Sequence, residues 1–136
     1  MISDNLPAFP PYSQHFRCMQ PLIRSGATFK VFQFLFDEYL KKKRSGENTY
    51  IKISNSSLAA WAGVDRETVG SHLQSLEKMQ LIKTGSVVTI NADNVFSIAI
   101  AFNKLVDTKS KQDFIKAFKV GDYATLKELG FERVNA

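Results

Sequence analysis

From Val64 to Glu77 the chain reads Val-Asp-Arg-Glu-Thr-Val-Gly-Ser-His-Leu-Gln-Ser-Leu-Glu, and Arg66, Glu67, Ser71 and Gln74 fall on its outward, polar side at helical spacing. An arginine fork can donate two parallel hydrogen bonds to the paired acceptors of guanine, and a glutamate can accept from the amino group of cytosine. Ser71 and Gln74 continue the same hydrogen-bonding edge. No covalent chemistry competes with this reading. Cys18 is the only cysteine, His15 and His72 are the only histidines, and no nucleophile-base pair, phosphate loop or metal-ligand set can be assembled from the rest. No catalytic residue, metal or cofactor is therefore expected. The scattered Asp and Glu read as solvated surface, and Cys18, unable to form an intrachain disulfide, reads as a small apolar filler.

Such an edge needs elements to hold it. Asp65 is suited to cap a helix whose inner face carries Val69, Leu73 and Leu76 and which runs to about Met79. Ahead of it, Ser54 caps a shorter helix bearing Leu58, Ala59 and Ala62, and Gly63 ends that helix in the left-handed conformation open to glycine. Two helices joined by so tight a turn form a helix-turn-helix, with Ala59 as the small residue at the crossing, Gly63 at the turn and Val69 locking the second helix. The missing side chain at Gly70 permits close approach to a duplex, and Thr68 is placed to bond a phosphate or help cap the helix.

The flanking segments complete the unit. Phe32, Leu35, Phe36, Tyr39 and Leu40 recur at helical steps, so a helix of about four turns is expected from Thr28. It ends in Lys41, Lys42, Lys43 and Arg44, which complement the negative end of the helix dipole or serve equally well as phosphate contacts, and Gly46 follows as a stop. Thr49 to Ile53 alternates as a short half-buried strand with Ile51 and Ile53 inward. Leu81–Lys83 and Val87–Ile90 flank Thr84-Gly85-Ser86 and read as a hairpin, the wing. Beyond it, Asn91 or Asp93 caps a helix with Val95, Ile98, Ala99, Phe102, Leu105 and Val106 at helical spacing, although Val95 to Ile100 also fits a strand. Ser110 with Asp113 resembles a capping box opening a further helix that Gly121 ends, and a last short helix spans Tyr123 to Leu129. Pro7, Pro10, Pro11 and Pro21 make residues 1–24 a loosely ordered arm or surface strap. The fold class expected is mainly α with a small β wing. Its architecture is a winged helix-turn-helix over residues 25–91, with extra C-terminal helices over residues 92–136 as a candidate dimer surface.

The Arg66-Glu67-Thr68-Val69 run, followed by Leu73-Gln74-Ser75-Leu76-Glu77, resembles the recognition helix of the catabolite-activator and fumarate-nitrate regulator family. The resemblance implies that Arg66 and Glu67 stand where that family reads bases. Ser71 replaces a second arginine common there, so a different base preference follows, and His72 takes a position usually aliphatic, where it reads as a partly buried histidine under the helix. The likeness covers about residues 54–90, leaves no room for a cyclic-nucleotide β-barrel, and no effector is inferred from it. A second likeness, of Thr84 to Asn91, is to the wing of small plasmid replication initiators.

Charge and composition are consistent with these expectations. Eighteen Lys and Arg against thirteen Asp and Glu give a net charge of +5, suited to a polyanionic partner. Within residues 65–78, however, the acids Asp65, Glu67 and Glu77 outnumber Arg66 and Lys78, so phosphate attraction must come from Lys41–Arg44, Lys52 and Lys83, helped by Ser54, Thr84 and Ser86. Trp61 reads as packing against the first helix. Apolar runs such as Val95–Phe102 are too short for a bilayer, and Met1–Leu6 lacks a secretory pattern, so a cytoplasmic location and no membrane partner are expected. The leading expectation is a transcriptional regulator that binds double-stranded DNA as a homodimer. A plasmid or phage replication initiator and a winged-helix protein-interaction module without DNA binding are the alternatives.

Overall fold

The computed structural model describes residues 19–23 and 25–131, which fall into two compact units. One comprises residues 25–92; the other comprises residues 93–131 together with 19–23. The chain is mainly helical with one small antiparallel sheet.

The first unit opens with α1, Gly26–Arg44. The Ser25 side chain accepts from the Thr28 amide and starts the helix two residues earlier than the apolar pattern alone suggests. Val31, Phe32, Leu35, Phe36, Tyr39 and Leu40 form its buried stripe, with Phe32 and Phe36 stacked at 5.6 Å and Phe36 and Tyr39 at 5.8 Å. The four cations of its last turn face the carbonyl end, and Gly46, at φ 74°, reverses the chain.

The strand expected at Thr49–Ile53 reduces to a single bridge, in which Ile51 and Val88 exchange both backbone hydrogen bonds at 2.9 and 2.8 Å. Only Ile51 is buried there, Ile53 is half-buried, and Ser54 is already committed to capping α2, Asn55–Ala62. Gly63, at φ 75°, ends α2 and returns its amide to the Ala59 carbonyl at 2.9 Å. A 3₁₀ turn, Arg66–Thr68, leads into α3, Val69–Lys78. The sheet pairs β1, Ile82–Lys83, with β2, Thr89–Ile90, in the register Ile82 to Ile90 and Lys83 to Thr89. The hairpin ladder is shorter than Leu81–Lys83 against Val87–Ile90, because Val88 turns to Ile51 and Thr84 turns to α3.

In the second unit, residues 19–22 are helical, and Met19, Leu22 and Ile23 are buried. This corrects the expected loose arm at its C-terminal end; the rest of that arm lies outside the described residues. The stretch from Val95 to Ile100 is helix, not strand: α4 spans Ala92–Lys104 and buries Val95, Ile98, Ala99 and Phe102, a three- and four-residue repeat that no strand could bury on one side. Helix α5, Thr108–Val120, begins before the expected Ser110 because Asp107 is the cap, accepting from the Ser110 amide at 2.9 Å. Asp113 instead pairs with Lys109 at 3.2 Å. Gly121, at φ 74°, ends α5, and Asp122 caps α6, Tyr123–Glu128. Phe114 lies at the centre of this unit, edge-on to Phe102 at 5.5 Å and to Phe131 at 6.3 Å. Among the described residues no helix is long and apolar enough to cross a membrane.

Candidate nucleic-acid interface

Helix α3 is held by its inner face. Val69 and Leu76 are fully buried, and the His72 ring, half-buried, shares a hydrogen bond of 2.8 Å between its Nδ1 and the Thr28 hydroxyl of α1. With Val69, Leu73, Leu76 and His72 turned inward, the helical period leaves Glu67, Gly70, Ser71 and Gln74 on the opposite stripe, and all four are exposed. Arg66 is exposed as well, beside Glu67 in the 3₁₀ turn that leads into α3. Neither Arg66 nor Glu67 forms an ion pair with another described residue. The four residues expected to present one hydrogen-bonding edge are therefore all presented to solvent from one turn and the helix it feeds.

The turn differs from expectation in its cap. Asp65 occupies the N-cap position, but its side chain makes no capping bond; its backbone carbonyl accepts both the Thr68 amide at 3.2 Å and the Thr68 hydroxyl at 3.0 Å. Two donors from one residue converging on that carbonyl hold residues 66–68 in the tighter 3₁₀ winding. Thr68 thus braces the turn, and the Asp65 carboxylate is left at the surface.

The expected phosphate contacts separate into groups. Lys52 follows the Ile51–Val88 bridge directly, which sets it opposite Val87 in an antiparallel register, close to the loop that carries Ser86. Lys52, Lys83 and Ser86 are all exposed. Thr84 is engaged elsewhere: its hydroxyl donates to Glu77 at 2.7 Å and its amide to the same carboxylate at 3.4 Å, so its single hydroxyl proton is already committed. Ser54 is taken up as a cap, accepting from the Ser57 amide at 3.1 Å. Along α1, the Lys41–Arg44 run lies about 20–24 Å from the Thr28–His72 contact, at 1.5 Å rise per residue. Lys41 pairs with Glu38 at 3.2 Å, and the Lys43 ammonium lies 6.0 Å from the centre of the Tyr39 ring. The run occupies the last turn of α1, at the carbonyl end of the helix.

Two surface features were not anticipated from the sequence. Trp61 does meet the first helix, stacked on Phe34 at 6.4 Å, yet it remains 74% exposed. Glu77, which the sequence suggests only as a charge, ties α3 to the hairpin loop. No group of His, Cys, Asp and Glu that could hold a metal occurs among the described residues. Comparison with protein-family models, curated proteins and solved structures returns no match for this chain.

Proposed function

We propose that this chain is a winged helix-turn-helix protein that binds double-stranded DNA sequence-specifically, inserting the turn from Arg66 and helix α3 into the major groove. One observation carries the reading: Arg66, Glu67, Ser71 and Gln74 are exposed together, and the two charged ones lack ion-pair partners among the described residues, on a turn and helix whose other face is buried. A helix entering a groove requires that arrangement, because the side chains that read bases must be free of intramolecular partners while the helix itself is held rigidly from behind. Gly70 sits in the middle of the stripe, and a Cβ added there meets nothing within 4 Å, so its absence thins the helix on its outward side. The hairpin with exposed Lys83, Ser86 and nearby Lys52 supplies the wing and its phosphate contacts. One such helix spans few base pairs, so a homodimer on two half-sites is the proposed binding form. Transcriptional regulation is the proposed role.

The test is fluorescence anisotropy of the wild type and Arg66→Ala on duplexes enriched by selection, at two salt concentrations. Wild type is expected to select one motif, and Arg66→Ala to lose about 1–3 kcal/mol on it while retaining its weak binding to unrelated duplexes. Weak and equal binding of both proteins to every duplex overturns the reading and leaves a protein-interaction module in its place.

A further inference from the structure

Helix α4 carries a second, partly exposed stripe. Ser97, Ile100, Ala101 and Lys104, at positions i, i+3, i+4 and i+7, form one side of an open surface groove of about 350 Å³, lined also by Lys127 in the last turn of α6 and by Gly130 just after it. All six belong to the same compact unit. The apolar part of the floor is Ala101, which is buried, and Ile100, which on an otherwise well-packed helix is 49% exposed. Two cations flank that floor, and neither Lys104 nor Lys127 forms an ion pair with a described residue. The dipoles of α4 and α6 account for a lysine in each last turn. They do not account for an exposed isoleucine lining the same groove as both lysines. Two like charges lining one groove repel each other, and an anion placed between them relieves that repulsion while gaining two charge-assisted hydrogen bonds. The volume falls at the lower end of the roughly 300–1,000 Å³ usual for small-molecule sites.

From this we infer that the groove binds a small amphipathic organic anion. Its anionic head lies between the Lys104 and Lys127 ammonium groups, its apolar body covers Ile100 and Ala101, and the Ser97 hydroxyl is available to any polar group at the far end. Gly130 favours entry: at φ 104° it holds a backbone conformation suited to glycine, and it leaves that side of the groove without a side chain. The site uses none of the residues proposed to read a duplex, so its test is independent of DNA binding.

The full chain is titrated with 1-anilinonaphthalene-8-sulfonate, followed by displacement with decanoate and, separately, with inorganic phosphate. Backbone amide shifts of Ser97, Lys104, Lys127 and Gly130 are recorded in parallel. Saturable fluorescence is expected, reversed by decanoate but not by phosphate, with shifts centred on those four amides. The double variant Lys104→Gln/Lys127→Gln should weaken the dye roughly tenfold or more, since hydrogen bonds to charged groups contribute about 1.5–3 kcal/mol. Trp61→Ala, which removes a large exposed aromatic group elsewhere in the chain, should leave binding unchanged. Circular dichroism confirms that each variant is folded, and Lys104→Arg/Lys127→Arg, which keeps both charges, should retain binding. Equal affinity in the Gln variant, displacement by phosphate as efficient as by decanoate, or loss of the signal with Trp61→Ala overturns the site.

Discussion

The Glu77 carboxylate receives both donors of Thr84, the hydroxyl at 2.7 Å and the amide at 3.4 Å, and so joins the last turns of α3 to the loop between β1 and β2. Helix α3 ends at Lys78, between the two residues, so no single helical or hairpin pattern pairs them. The contact fixes where the loop begins relative to the exposed stripe of α3, so the two parts of the proposed duplex surface move together.

Glu77→Ala is expected to release the loop while leaving α3 intact, because the α3 core residues Val69 and Leu76 are untouched. Hydrogen exchange at the Thr84 amide should accelerate in Glu77→Ala and stay closer to wild type in Glu77→Gln, whose amide oxygen still accepts the Thr84 hydroxyl. The cost in global stability is about 0.5–1.5 kcal/mol, the usual worth of one hydrogen bond, and falls at the lower end because the site is exposed. Unaltered exchange at Thr84 in Glu77→Ala would show that the loop is held by its own backbone.

Two left-handed residues lie on either side of α3 and its leading turn and should respond oppositely to substitution. Gly63, at φ 75°, suits its position, so Gly63→Ala is expected to cost about 1 kcal/mol. Gln80, at φ 61°, is the one non-glycine described residue with positive φ, held there while its carbonyl accepts the Asn91 side-chain amide at 3.2 Å. Gln80→Gly keeps that carbonyl and removes the Cβ clash, so denaturant unfolding should show a gain of about 0.5–1 kcal/mol. A loss in Gln80→Gly would mean that its side-chain contacts outweigh the backbone strain.

Local chemistry made much of this fold legible in the sequence. Ser54 and Gly63 bound α2 as their side-chain and backbone preferences dictate, Gly121 ends α5, and the inward set Val69, Leu73 and Leu76 identifies the face of α3 that faces solvent. What escaped the sequence depends on neighbours distant in the chain. Ile51 bonds Val88 and shortens an expected strand to one bridge, Thr84 commits its hydroxyl to Glu77, and Trp61 stays exposed although it finds Phe34. Competing caps are the other source of difference. Asp107 and Ser110 are both good N-caps by residue type, and only the observed bond from the Ser110 amide to Asp107 decides between them.

Under the proposed duplex binding, Lys52 and Lys83 meet phosphates from the wing and carry no sequence information. Lys52→Gln and Lys83→Gln should weaken selected and unrelated duplexes by the same factor, and each should lower the slope of log affinity against log salt by about 1. Thr84→Val should leave that slope unchanged, since its hydroxyl is held by Glu77. A change in motif preference in either lysine variant would place that residue at a base edge instead.

The pH dependence of stability should divide between the two units. Hydrogen bonds from Ser110 to Asp107 and from Thr125 to Asp122 hold both cap carboxyls below the usual carboxylate range. A depressed folded-state pKa means stability that is fully present above the unfolded value and is lost as pH falls through the folded one, so α5 and α6 weaken from about pH 4 downward. Asp37 on α1 runs the other way. Loss of hydration raises its carboxyl against the opposing pull of Lys41, with Glu38 adding to the rise and Arg44 opposing it. Its protonation is easier in the folded chain, so it favours the fold below its raised pKa and loses that contribution as pH rises through it. Asp107→Asn/Asp122→Asn should therefore flatten the acid limb of thermal stability, and Asp37→Asn should steepen it while stabilising the neutral-pH protein. Identical acid limbs in wild type and the cap variant would assign the loss to other carboxylates.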